Sequence, residues 1–141
     1  MIPLFLAVIT AGQGFACTPV SLWDGDGPFL CAEGPRVRLA GIAAREMDGS
    51  CRSNQPCPDA SAEAARDTLA QLLGTPAGTT SDSHIRLINA PTLRCLSTGS
   101  AGGKRTGAWC YGPQGDISCR LVQARVVKVW PRYWKDHECR R

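Results

Sequence analysis

No stretch of the sequence approaches the roughly 20 consecutive apolar residues that a membrane-spanning helix needs, so integration into a membrane through a helix is excluded. There are only two histidines, His84 and His137, and the eight cysteines form no C-x-x-C pair, which removes the paired knuckles of a structural zinc site. No Ser-His-Asp or Cys-His arrangement and no phosphate-cradling glycine motif stands out, so nucleophilic acyl transfer and P-loop chemistry have no basis here. The two histidines read as surface residues. Internal repeats and low-complexity tracts are also missing, which excludes solenoids and disordered linkers.

What is present fits one domain. The 141 residues suffice for a core, and 15 glycines with 10 prolines point to a loop-rich, mainly β fold. Residues 1–16 carry no charge, open on the apolar run 2–9 and end in Gly14-Phe15-Ala16, a small-x-small pattern. They read as a signal peptide cut after Ala16, with residues 17–141 as the single domain; the alternative is a first buried strand. Cys17, Cys31, Cys51, Cys57, Cys95, Cys110, Cys119 and Cys139 are an even set that all lies beyond that cut. Disulfides in an oxidising compartment are expected, hence a secreted or periplasmic protein. Eight cysteines pair in on the order of a hundred ways, so connectivity stays open at this point.

Charge is uneven. Residues 1–83 hold 5 basic and 9 acidic side chains, net −4, whereas residues 84–141 hold 11 basic and 3 acidic, net +8. A basic half suits a polyanion such as nucleic acid.

Val20 to Trp23 and Pro28 to Cys31 flank Asp24-Gly25-Asp26-Gly27 and read as a β-hairpin. Val37, Leu39 and Ile42 continue as a third strand with Arg36 and Arg38 on the opposite face. Residues 47–57 read as a polar loop. The clearest helix is 58–73, with Pro58 at N1, Asp59 near the positive dipole end, an apolar stripe of Ala62, Ala65, Leu69, Leu72 and Leu73, and Gly74 as the stop. After a loop over 74–83, short strands are expected at 85–88 and 93–96. A flexible tip over 97–103 follows, then a strand at 106–111, a short helix at 117–123 and an apolar segment at 126–129. This succession is compatible with a five-stranded OB-fold barrel carrying one main and one shorter helix.

Asp24-Gly25-Asp26, then Arg38-Leu39-Ala40-Gly41-Ile42-Ala43-Ala44-Arg45-Glu46, and later Lys104-Arg105-Thr106 stand in the order and spacing of a known pattern. The chain resembles the thermonuclease (staphylococcal-nuclease-like) family, which reads D-G-D-T and then R-L-x-G-I-D-x-P-E. The resemblance covers about residues 18–134 and takes in Pro58 to Ala62 and Leu121-Val122 with Lys128-Val129. It implies an OB-fold barrel packed with helices, acting as a monomer, that cuts DNA or RNA with calcium. On that resemblance Asp26 is a calcium ligand, Ala44 would lend its backbone carbonyl, and Glu46 positions or deprotonates the attacking water. Arg38 and Arg105 grip the phosphate through planar, permanently charged forks. Arg45, Lys104 and Tyr111 are the expected further substrate contacts. Trp130, Tyr133 and Trp134 are candidates to stack on bases, with Trp130 also read as core packing. The departures are Ala43 for the second carboxylate, Gly27 for threonine and Arg45 for proline.

The resemblance also implies Cys95–Cys110, on neighbouring strands. Alongside it, Cys17–Cys31 would tie the first hairpin, Cys51–Cys57 would close a local loop, and Cys119–Cys139 would be the fourth bridge. Two functions follow as expectations: phosphodiester hydrolysis weakened at the metal site, or an inactive OB domain that binds nucleic acid or another polyanion. A structural or interaction module is the third possibility.

Overall fold

A computed structural model of the chain describes residues 7–139. In chain order the strands are β1 (Gly14–Cys17), β2 (Pro19–Leu22), β3 (Phe29–Cys31), β4 (Arg36–Leu39) and β5 (Ile42–Ala43). Helix α1 (Ala62–Leu73) separates these from β6 (Thr75–Thr79), β7 (Ile85–Ile88), β8 (Leu93–Ser100), β9 (Thr106–Gly112) and β10 (Gly115–Asp116). Helix α2 (Ile117–Gln123), β11 (Lys128–Val129) and the single turn α3 (Pro131–Trp134) complete the fold.

The fold is mainly β. One mixed nine-stranded sheet runs β1-β8-β9-β4-β3-β2-β7-β6, with β10 on β9, and a small sheet pairs β11 with β5. The expected five-stranded barrel does not close. Closure of β2, β3, β4, β9 and β8 into a ring would require β8 to meet β2. The second edge of β8 is taken by β1, and that of β2 by β7. Along β8, buried Leu93, Cys95 and Ser97 alternate with exposed Arg94, Leu96 and Thr98, as a one-sided strand requires. Phe29 stands opposite both Leu22 and Val37, and all three are fully buried.

The segment read as a leader is partly structural. Its first six residues lie outside the described residues. The Ile9 amide donates to Thr106 Oγ1 (3.1 Å), Ser97 Oγ donates to the Ile9 carbonyl (2.7 Å), and β1 pairs with β8 from Gly14 to Cys17. Within this segment β1 is an edge strand on β8, mostly exposed except at Cys17.

Helix α1 starts later than expected. Ser61 is its N-cap, accepting the Ala64 amide at 3.1 Å, while the Pro58 carbonyl faces outward to Arg45 Nε (2.8 Å). Ala62, Ala65, Leu69 and Leu73 of the expected stripe are buried, and Leu72 packs at the margin of the core. Helix α2 has the expected limits, capped by Asp116 Oδ1 on the Cys119 amide at 3.1 Å. The loop expected over 74–83 contains the edge strand β6, and the flexible tip is largely an extension of β8. The disulfides are Cys17–Cys31, Cys51–Cys57, Cys95–Cys110 and Cys119–Cys139. Closing loops of 14 and 15 residues, as the first and third do, stabilises a fold by about 3 kcal/mol each in the chain-entropy account. No described helix is long and apolar enough to cross a membrane.

Candidate functional site

A cleft of about 810 Å³ opens between the β2–β3 turn, the loop after β5, the β8–β9 tip and the C-terminal segment. Asp26, Arg38, Glu46 and Arg105, expected from four separate stretches of sequence, all line it. Arg45, Lys104 and Tyr111 are not among its lining residues.

The turn between β2 and β3 places two carboxylates inside the protein. Asp24 Oδ1 accepts the Asp26 amide at 3.2 Å, and both side chains are buried. Asp26 Oδ2 accepts from Arg38 Nη2 (3.1 Å) and from the Ala44 amide (3.3 Å). Arg38 also donates to the Leu39 carbonyl (3.0 Å) and the Ile42 carbonyl (3.1 Å), so β4 and β5 hold its guanidinium from behind. Burial, followed by the hydrogen bond to Asp26 and the Asp26 charge, pushes Asp24 up to about 9. At neutral pH this favours the protonated form of Asp24, beside the Asp26–Arg38 contact. Sequence reasoning passed over Asp24 as a site residue. Its signal was the D-G-D spacing itself, which folds two carboxylates into one turn.

Gly27 is required by that turn. Its φ is +102°, and a Cβ there would lie 2.5 Å from the Val37 carbonyl oxygen. The threonine of the family pattern therefore has no room at this position.

The donors do not fit calcium. That ion takes about six to eight oxygen ligands. Here Asp26 Oδ2 accepts from Arg38 and the Ala44 amide, and burial favours the neutral form of Asp24. Ala43 has no side-chain oxygen, and the Ala44 carbonyl accepts Gln55 Nε2 at 3.0 Å. Elsewhere among the described residues, the clusters Cys17, Cys31, Glu33 and Asp116, Cys119, His137 each bring three potential ligand residues together, but their sulfurs are in disulfides.

Glu46 stands at the mouth, paired with Arg52 (Oε1–Nε 3.0 Å). Its loop is tightened by the Glu46 amide on the Ser50 carbonyl (2.9 Å) and by the Cys51–Cys57 bridge. Arg45, expected at the substrate, instead braces this loop from outside, donating to the Pro58 carbonyl (2.8 Å) and the Gly49 carbonyl (2.7 Å). Arg105 donates to the Gly102 carbonyl (3.0 Å) and the Ala101 carbonyl (2.7 Å), which shapes the β8–β9 tip and holds the guanidinium at the cleft. Lys104 is exposed on the tip, and Tyr111 stands in β9 opposite Arg94.

The facing wall is aromatic. His137 stacks on Trp109 (centroids 3.5 Å apart, planes 6° from parallel), Trp134 meets Trp109 edge-on at 5.4 Å, and His137 Nε2 lies 2.7 Å from Asp116 Oδ2. His137 is thus a packed cleft residue rather than the surface residue expected. A lone histidine far from other motifs carried no signal of this. His84 stacks edge-on with exposed Trp23 (4.6 Å). Trp130 lies under the Arg38 guanidinium (5.8 Å) and against Tyr133 (4.9 Å), half-buried, while Trp23 and Tyr133 stand exposed at the rim.

Gly41 joins the two walls. Its φ is +78°, a Cβ would fall 2.4 Å from Trp109 and 2.9 Å from Trp134, and its carbonyl accepts the Trp130 amide at 2.7 Å.

No protein-family model matches the chain, and no curated protein matches it.

Proposed function

We propose that this chain is an exported, thermonuclease-like OB domain whose cleft takes a single-stranded DNA or RNA segment and hydrolyses its phosphodiester slowly. One observation carries the proposal: Asp26, Arg38, Glu46 and Arg105 line one cleft whose other wall and rim are aromatic. Guanidinium forks match phosphate oxygens, and exposed indole and phenol rings accept stacked bases regardless of sequence. The strand order β2-β3-β4-β9-β8, with β4 parallel to β9, supports the OB reading, since that barrel is a partly open one. Four disulfides support a secreted or periplasmic location.

In this function Glu46 accepts the proton of the attacking water, whose oxygen bonds to phosphorus; the P–O bond to the leaving sugar oxygen breaks and that oxygen takes a proton from solvent, while Arg38 and Arg105 stabilise the charge that develops on the phosphate. Calcium, which the resemblance implies, has no part in the proposal, because Ala43 lacks the second carboxylate and Asp26 Oδ2 and the Ala44 carbonyl already accept hydrogen bonds. A second reading, binding without cleavage, is favoured by the Glu46–Arg52 pair, which engages the carboxylate assigned as the base.

The test is digestion of single-stranded DNA and of RNA by the oxidised protein, beside Glu46→Gln. Slow cleavage abolished by the substitution supports the hydrolase. Salt-sensitive binding with no cleavage establishes the second reading. Neither binding nor cleavage rejects both.

A further inference from the structure

Resting on the strand-binding reading above, we propose that the cleft holds its phosphodiester without a divalent cation, the place of the cation being taken by Arg38 and Gln55. The argument starts from the oxygens. Asp26 Oδ2 and the carbonyls of Ile42 and Ala44 converge at the junction of β4, β5 and the following loop. Each already accepts a hydrogen bond: the first two from Arg38 Nη2 (both 3.1 Å), the third from Gln55 Nε2 (3.0 Å). A divalent ion entering here would have to compete with a guanidinium for the carboxylate and with an amide for the carbonyl. Ala43 would offer no side-chain oxygen in compensation.

Gln55 is fixed in this position. It sits in the turn closed by Cys51–Cys57, its amide donates to the Arg52 carbonyl (3.2 Å), and Arg45 braces both ends of the same loop on Gly49 and Pro58. The loop therefore carries its own donor into the carbonyl that a cation would use. Exchanging the hydrated ion for a tethered amide removes the need to recruit a ligand from solution.

The guanidiniums still have capacity for phosphate. The three bonds of Arg38 to Asp26, Leu39 and Ile42 use only part of its fork of donors, and the two bonds of Arg105 likewise leave donors over. Both side chains line the cleft, so their remaining N–H groups form a two-sided, permanently charged clamp for a phosphodiester.

The experiment measures fluorescence anisotropy of an end-labelled oligothymidylate with the oxidised protein, in chelator and in millimolar calcium chloride. A melting curve of the protein with calcium chloride alone accompanies it. The expected result is the same dissociation constant within about twofold in both buffers, falling affinity with rising salt, and no calcium-dependent change in Tm. In chelator, Arg38→Lys and Arg105→Lys, which keep the charge but lose the fork, are each expected to weaken binding by about tenfold. Melting curves of both variants establish that they are folded, and Arg105→Lys, being further from buried Asp26, serves if Arg38→Lys is not. Binding that needs calcium, or a Tm that rises with calcium, overturns the inference while leaving strand binding standing. Full affinity in chelator for the folded lysine variants also overturns it. Absence of binding in both buffers overturns the function itself.

Discussion

The two walls of the cleft are held together by different physics. On one side, Asp24, Asp26, Arg38 and the Ala44 and Ile42 backbone form a buried polar network in which each charge has a partner. On the other, the chain after β11 has almost no regular structure and is fastened by ring stacking on Trp109, the His137–Asp116 contact and the Cys119–Cys139 bridge. The first wall is rigid because a missing partner would leave a desolvated charge. The second is rigid because aromatic area is packed and the segment is covalently tied. A cleft made this way puts its phosphate-gripping groups on the stiff polar side and its base-stacking surfaces on the tethered side.

The largest effect is expected where the walls meet. Gly41→Ala forces a side chain onto a backbone at φ +78° and onto the Trp109 ring. Loss of about 3 kcal/mol of stability is expected, together with loss of strand binding, read from urea denaturation and anisotropy. A change below about 0.5 kcal/mol would show that the indoles yield freely and that the walls are not coupled through this residue.

Next comes Cys119→Ser with Cys139→Ser, which unties only the aromatic wall. The bridge closes a loop of 20 residues, so a loss of about 2–4 kcal/mol is expected. Near-ultraviolet circular dichroism of the Trp109–Trp134 cluster should weaken, while the Asp24 titration described next stays in place. If that titration moved as well, the two walls would share one network and the contrast between them would fail.

Legibility from sequence divides along the same line. The polar wall was readable because its residues sit in short motifs at fixed spacing around tight turns. Arg38 and Asp26 therefore came out together, although Asp24 was passed over. The aromatic wall was readable only in part: Trp130, Tyr133 and Trp134 stood out as a cluster, but Trp109 and His137 did not. His137 has no local companion, α3 is a single turn, and only the three-dimensional path of the C-terminal segment brings it to Trp109. Among the elements, α2 was legible because an aspartate N-cap precedes an apolar run, whereas the start of α1 was misplaced: Pro58 matched an N1 preference that Ser61 in fact superseded. β6 escaped because its residues are nearly all exposed and include Pro76 and Gly78, so no alternation of apolar residues marks it. β1 gave no strand signal of its own, since it is short and mostly exposed, and its pairing with β8 is visible only in three dimensions. Gln55 gave no signal, since an amide in a polar loop is ordinary until its partner carbonyl is known.

The polar wall can be sharpened by pH. Asp24 lies at about 9 in the folded protein against an ordinary 3.8, so between these values the folded state holds a proton that the unfolded state has released. The stability this contributes is complete below 3.8 and is lost as pH rises towards 9. Asp24→Asn keeps the site neutral at every pH. The variant is therefore expected to gain on the parent in Tm as pH rises through the window, with the difference smallest at the acid end. A constant difference across the window would mean that Asp24 is ionised in the folded protein. Asp26 and Arg38 would then be balancing two charges rather than one.

The smallest effect tests the boundary of the cleft. Arg45 was expected at the substrate because it replaces a proline beside Glu46, yet its guanidinium spans the outside of the loop between Pro58 and Gly49. Arg45→Ala removes two charge-assisted hydrogen bonds, one to the carbonyl of buried Pro58 and one to that of exposed Gly49, so a loss of about 1–2 kcal/mol is expected, visible as a fall in Tm. Affinity for oligothymidylate should stay within about twofold, since only a distant charge has been deleted and salt screens it. The two readouts separate the roles of this residue. A brace changes stability and leaves affinity alone; a phosphate contact does the reverse. An affinity loss near that of Arg105→Lys would place Arg45 inside the cleft and extend the phosphate-gripping wall around the loop that Gln55 anchors.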